Sequence, residues 1–383
     1  MRIAYVCTDP GIPVFGRKGA SVHAQATLTE FVRAGHEVHL LTPRAGGDPL
    51  PGVSVHSLPT IGKGDAAARE RRAQASDAHV ADLLTDIAPD LVYERYALWG
   101  RTATQWAAEH RIRSVLEVNA PLVAEQQRFR ELVHLDEAEA VAHSALVRAG
   151  TVVCVSEPVA DWARATGARP ETVLVEPNGV DPARITLSPK PVTPAGSDTF
   201  TVGFVGTLKP WHGLDTLVDA VEPLLQADRS WRLLLVGDGP VADTVRSRLA
   251  TAGLADRAEL TGAVAPADVP AYLHRMDIAC APYPAGGDNY FSPLKVYEYL
   301  AAGVPVVASA VGQLQAALDH GRLGRLVRPG DAAALTEALD DLRRDHDERA
   351  RLRRLGRESV LARHTWQAIV RRVLAHDSSA RAA

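Results

Sequence analysis

Only five of the 42 basic residues in this chain are lysine, and three of the five lie in turns that contain glycine or proline. They are Lys18 in "GRKGAS", Lys209 in "FVGTLKPWHG" and Lys295 in "YFSPLKVYEYLAAGVPVVAS". A turn that opens a helix presents free backbone N–H groups, and a lysine beside it adds a point charge. That combination suits an anion, and a diphosphate in particular. Gly19 permits close backbone approach to such a ligand. His212 joins Lys209 around Pro210 and Trp211. In the third stretch Ser292 reads as an N-cap and Pro293 as the first helical residue, with Leu294 and Lys295 in the first turn. A cation there opposes the helix dipole unless an anion sits close by. Glu298 follows at i+3, on the same side of the helix, where a carboxylate suits a ribose diol. Each piece also has a plain reading. The first is an ordinary tight turn, the second a loop with a packed tryptophan, and the third a Lys–Glu surface pair worth a few tenths of a kcal/mol.

Other polar residues fall at strand ends. "YERY" carries Glu94 and Arg95, and "VLEVNAPL" carries Glu117 and Asn119, with Glu125 and Asp136 close behind. Their acidity favours a neutral or cationic acceptor over an anionic lipid. The Asp-x-Asp pair Asp345–Asp347 lies in a charged helical run that reads as a solvated face. The chain has no His-Glu-x-x-His, no Gly-x-Ser-x-Gly, no Walker A loop and no Gly-x-Gly-x-x-Gly. Metal hydrolysis, serine nucleophiles and dinucleotide binding therefore have no signature.

The elements that must carry these residues alternate from end to end. Short apolar runs read as strands at 2–7, 37–42, 53–58, 91–93, 114–118, 151–155 and 173–176, and again at 200–205, 231–236, 258–261, 277–281 and 304–308. Helical patterns lie between them, such as 21–34, 66–87, 121–148, 158–166, 214–226, 241–252 and 269–276. Strand–helix alternation implies parallel βαβ units and an α/β fold. The stretch "SPKPVTPAGSD" is rich in Pro and Ser and reads as a linker at 188–198. It separates an N-terminal domain, 1–187, from a second, 199–364. Two Rossmann-like, doubly wound domains would face each other across a cleft, with ligands beyond the carboxyl ends of the strands.

Composition narrows the class further. The chain has 383 residues, 46% apolar content and a net charge of -4, so nothing marks nucleic acid as a partner. Cys7, Cys154 and Cys280 sit in apolar runs without zinc or disulfide spacing, which fits a reducing cytoplasm. The N-terminus reads as a strand, and no run approaches the ~20 apolar residues of a membrane span. The arginine bias fits a GC-rich bacterial genome.

As a set, the early glycine loop, "RAGHEVHLLT", "EPNGVD", "LLLVGDGP" and "YEYLAAGVPVVAS" are specific. They resemble the retaining nucleotide-sugar glycosyltransferases of the GT-B fold, the family 4 type. The resemblance implies an acceptor held mainly by the first domain and a donor, most simply a UDP- or GDP-sugar, held mainly by the second. It implies no metal and no cofactor, and a C-terminal helix, about 365–383, that returns to the first domain. The acceptor is expected to be a small specialised metabolite, with a surface or lipid-linked glycan as the alternative, and the chain a monomer or homodimer. Glu298 matches the family's ribose-binding glutamate. The family's sugar-binding glutamate falls at Tyr290, where Asp288 or Asn289 can substitute. Its diphosphate-binding pair falls at Thr207 and His212, with Lys209 between them taking over the charge. Its histidine near the sugar falls at Asn119, which still hydrogen-bonds but carries no proton. The catalytic set is therefore Asn119, Lys209 and Glu298. Lys18, Gly19, Ser292, Pro293, Leu294 and Lys295 join Thr207, His212 and residues 288–290 around the donor. Glu94, Arg95, Glu117 and Glu125 lie on the acceptor side. A His212 protonated beside the diphosphate would make activity fall at alkaline pH. A nucleotide-sugar epimerase and a non-catalytic nucleotide-sugar-binding subunit share the same motifs.

Overall fold

The structure is a computed structural model that describes residues 1–194, 197–286 and 289–380. Asp288, residues 195–196 of the expected linker and residues 381–383 lie outside the described residues. The chain divides into two compact units. The first comprises Met1–Asn178, Tyr290–Ser292 and Trp366–Ala383; the second comprises Gly179–Asn289 and Pro293–Thr365.

The first unit is built on a parallel sheet of seven strands: β1 (Arg2–Val6), β2 (Glu37–Thr42), β3 (Val53–Ser57), β4 (Leu91–Arg95), β5 (Arg113–Val118), β6 (Thr151–Cys154) and β7 (Val173–Val175). They lie in the order β3-β2-β1-β4-β5-β6-β7. Ile3 to Val6 are wholly buried because helices cover both faces, which is why the strand reads as a continuous apolar run. The strand order reverses between β1 and β4, so the ends of those strands open a crevice suited to ligands. The second unit repeats the plan with β8 (Phe200–Val205), β9 (Trp231–Val236), β10 (Ala258–Leu260), β11 (Ile278–Ala281), β12 (Val306–Ser309) and β13 (Arg325–Val327). Their order is β10-β9-β8-β11-β12-β13, which places the reversal at β8 and β11.

Several sequence expectations change. The expected helix 66–87 divides at His79, whose ring Nδ1 takes the Ala75 carbonyl at 2.8 Å. The run 121–148 breaks into Leu122–Phe129 and Leu135–Arg148. There the buried Glu70 carboxylate draws out the backbone amides of Val133 and His134, each at 2.9 Å. Strand β13 was not anticipated, because three residues flanked by arginines carry no readable alternation. The change of unit comes at Asn178, ahead of the Pro-rich stretch. That stretch is docked on the second unit: Lys190 Nζ meets Asp277 at 2.7 Å, and the Ser188 amide donates to Ala302 at 2.9 Å.

Two segments return to the first unit. The helix Trp366–Ala380 buries Trp366, Ile369, Val370 and Val373, and Arg372 grips Glu176 through both carboxylate oxygens at 2.7 and 2.6 Å. Hydrogen bonds hold the segment Tyr290–Ser292 there. Ser156 Oγ donates to the Tyr290 carbonyl at 2.5 Å, and the Tyr290 hydroxyl donates to Glu125. The Asn178 amide donates to Ser292 Oγ at 2.8 Å, and its Nδ2 donates to the Ser292 carbonyl at 3.0 Å. Ser292 Oγ is thus spent on Asn178 and does not cap the following helix. That helix spans Leu294–Ala302, with Pro293 in the cap position.

Candidate functional site

In the second unit, β8 ends at Gly206, whose φ of +143° suits only glycine. A Cβ added there would lie 3.1 Å from Lys295 Nζ, so the ammonium rests against the strand end. Lys295 reaches it from the first turn of the helix Leu294–Ala302. The Nζ lies 4.0 Å from the centre of the Phe204 ring and 5.3 Å from that of Tyr283. It is closed off from solvent and has no hydrogen-bond partner among the described residues. Two aromatic faces attract a cation but cannot replace its hydration. Burial accordingly lowers the Lys295 pKa to about 7, against an upward pull from Glu298. The loop returns at Gly213, whose φ is +71° and whose Cα abuts the Pro282 carbonyl after β11.

The other donor-side residues distribute around this point. His212 donates from Nδ1 to the Thr207 carbonyl at 2.6 Å, while the rest of Thr207 is exposed. Burial, then the neighbouring charges of Lys295 and Lys209, lower the His212 pKa to about 3. Without an anion beside it, His212 is therefore neutral at pH 7, whereas the sequence expectation concerns a histidine beside a diphosphate. Lys209 lies over the exposed Trp211 ring, 4.6 Å from its centre. The Asn289 backbone abuts Gly312 beyond β12. Glu298 is buried and paired with Arg184, which also donates to the Pro266 carbonyl at 3.1 Å. Burial pushes the Glu298 pKa up, and the Arg184 charge opposes the shift.

In the first unit, Gly19 opens the helix Gly19–Arg33. Lys18 stands in its cap position and donates from Nζ to the Gly11 carbonyl at 3.2 Å. No acidic residue occupies the first turn. The carboxylates expected on the acceptor side are mostly buried or engaged. Glu94 is 0% exposed, and burial and the nearby Asp77 raise its pKa well above the usual carboxylate range. Glu117 is 2% exposed. Its Oε1 accepts from Arg95 at 2.6 Å and Asn119 at 2.7 Å, and its Oε2 from Tyr93 at 2.8 Å and His23 at 3.0 Å. Burial would raise its pKa, but these partners hold it far below the ordinary range. Glu125 is bonded to Tyr290. Glu94, Glu117 and Glu125 are thus buried or engaged, whereas Asp136 is exposed.

Sequence reasoning missed His23, Tyr93 and Arg184 as parts of these clusters. Tyr93 stood inside the quoted "YERY", and His23 lies one turn beyond Gly19, so both had a positional signal. Arg184 had none, because its meeting with Glu298 spans 114 residues of chain. Among the described residues no group of three His, Cys, Asp or Glu side chains is arranged to hold a metal ion, and no helix is long and apolar enough to cross a membrane.

Comparison with known proteins adds a separate line. Residues 17–184 match the model described as Glycosyltransferase Family 4, and residues 199–345 match that of Glycosyl transferases group 1. The phosphatidyl-myo-inositol mannosyltransferase of Mycobacterium leprae is 32% identical over 201 residues, 52% of this chain and 51% of that protein. The match thus spans about half the length of that relative. The D-inositol 3-phosphate glycosyltransferase of Corynebacterium efficiens is 28% identical over 373 residues, 90% of this chain and 86% of that protein. The sucrose-phosphate synthase structure from Thermosynechococcus elongatus superposes with a TM-score of 0.73 at 22% identity, over 100% of this chain and 99% of that one. That likeness establishes the two-domain GT-B fold.

Proposed function

Since the chain belongs to the family 4, group 1 glycosyltransferases, we propose that it moves a sugar from a nucleoside-diphosphate sugar to a hydroxyl of a small polyhydroxylated acceptor. The bond between sugar C1 and the β-phosphate oxygen breaks, the acceptor oxygen bonds C1, and the acceptor proton passes to the departing nucleoside diphosphate. Negative charge grows on that phosphate as the sugar becomes oxocarbenium-like. Catalysis then needs fixed positive charge aimed at the departing oxygens. Lys295 supports this reading best, as a buried ammonium without a hydrogen-bond partner among the described residues, resting against a glycine turn at a strand end. The amides opening the helix Leu294–Ala302 add to it. Glu298, braced by Arg184, is suited to a ribose diol. Asn119 offers a hydrogen bond to the sugar or the acceptor. Transfer proceeds with retention and without a metal ion, with Lys295 meeting the charge a metal would otherwise neutralise. The inositol-based names of the relatives favour a cyclitol-like acceptor.

A thermal-shift screen against UDP-, GDP-, dTDP- and ADP-sugars tests the donor. One nucleotide class should raise the melting temperature by mass action, and Lys295→Met should abolish the shift at the same concentration. A Lys295→Met protein with undiminished nucleotide affinity and turnover defeats the proposal.

A further inference from the structure

Glu117 stands at the end of β5, beside the reversal point of the first unit's sheet, and is 2% exposed. It collects four donors from three elements. Tyr93 and Arg95 stand two apart on β4 and so share a face. His23 comes from the helix Gly19–Arg33, and Asn119 follows β5. Each carboxylate oxygen takes two of them, at 2.6 and 2.7 Å on Oε1 and at 2.8 and 3.0 Å on Oε2. An ionised carboxylate accepts and never donates, and four bonds fill its capacity. Asn119 must therefore turn its NH2 group inward. Its other end, the carbonyl oxygen Oδ1, is left for a ligand.

We propose that Glu117, steadied by His23, is a positioning residue that locks the Asn119 carboxamide with Oδ1 outward, so that position 119 recognises a hydroxyl as a hydrogen-bond donor. A freely rotating asparagine would present NH2 or C=O equally. The locked one discriminates, because a ligand oxygen without a proton gains nothing from it. The same oxygen orients a reacting hydroxyl by its proton and leaves the lone pair free for the sugar carbon; as that bond forms, the proton passes to the departing phosphate oxygen, because an amide oxygen is too weak a base to keep it. His23 is in turn held by Trp366 of the last helix, their ring centres 4.6 Å apart. The C-terminal helix thus supports the orientation of a side chain it does not touch. The consequence for turnover rests on the glycosyl-transfer reading; the orientation itself does not.

Glu117→Gln would also strip Arg95 of its counter-charge, so the informative changes are at His23. His23→Leu removes the donor at similar volume, whereas His23→Gln keeps a donor within reach. The experiment uses the full 15N-labelled chain and follows solvent exchange of the Asn119 side-chain amide protons, assigned by their loss in Asn119→Asp. In the wild type they should exchange about tenfold more slowly than those of a solvated asparagine, because a bonded N–H is shielded. His23→Leu loosens the carboxylate that holds them, so it should measurably reduce that protection and lower kcat, by up to about 100-fold for a displacement of about 1 Å. Nucleotide affinity should be unchanged, and His23→Gln should restore both readouts. Unprotected Asn119 protons in the wild type, or a His23→Leu protein that changes neither readout, overturns the proposal. Protected protons in a chain that turns over no nucleotide sugar uphold the orientation and overturn only the transferase reading.

Discussion

Lys295 concentrates the chemistry of the second unit in one titratable atom. Its pKa of about 7 makes two properties run in opposite directions with pH. The unfolded lysine keeps its proton to about pH 10.4. Between about pH 7 and that value the unfolded chain holds a proton the folded chain has lost, so stability rises with pH across this window. Anion binding favours the protonated form, so nucleotide affinity falls across the same window, toward about tenfold per pH unit. Calorimetric titrations and thermal melts at pH 6 to 9 should show both trends, and Lys295→Met should flatten both. The sequence expectation puts an alkaline loss on His212; Lys295, whose pKa of about 7 lies inside the window, is a second source of one. His212→Gln should leave the pH dependence in place; a dependence that vanishes with it would return the role to the histidine.

The loop between β8 and the helix Leu214–Ala227 shows how an element sets the site. Gly206 and Gly213 hold its two ends in backbone conformations that other residues avoid. At Gly213 the fit is also steric, since an added Cβ would lie 1.7 Å from the Pro282 carbonyl oxygen. Gly213→Ala should cost more than about 1 kcal/mol in denaturant unfolding, and should weaken nucleotide binding as the loop lifts from β11. Stability equal to wild type would mean that the loop is looser than its geometry implies. The segment Tyr290–Ser292 makes a related point. Its flanks belong to the second unit, yet its hydrogen bonds run to Glu125, Ser156 and Asn178 of the first. Tyr290, expected from the resemblance to stand in for a sugar-binding carboxylate, is thus joined to a glutamate of another element.

Each unit of the whole molecule has its own parallel sheet and core, so each should unfold as its own cooperative step. The first depends on the far end of the chain. Trp366, Ile369, Val370 and Val373 are all buried in the helix Trp366–Ala380. At about 1.5–3 kcal/mol per side chain they contribute about 6–12 kcal/mol of burial. That is comparable to the entire stability of a typical domain, about 5–15 kcal/mol. A chain ended at Thr365 should lose the cooperative melt of the first unit while the second still binds nucleotide. Two intact transitions in calorimetry of the shortened chain would show the helix to be dispensable.

The sequence by itself determined whatever depends on local pattern. Twelve of the thirteen strands among the described residues, the two-domain α/β plan and the glycine turns at strand ends follow from apolar periodicity and backbone chemistry, which act over a few residues. Lys295 and Glu298 were legible as a pair because i, i+3 spacing on a helix is fixed geometry. Tertiary structure decided which charges are used and which are spent. It buried Glu94 and Glu117, matched Arg184 to Glu298, and took the Ser292 hydroxyl for Asn178. It also neutralised His212 and left the Lys295 ammonium without a hydrogen-bond partner among the described residues. Those outcomes depend on desolvation and on partners up to 114 residues away in the chain, and neither is a property of any short stretch of sequence.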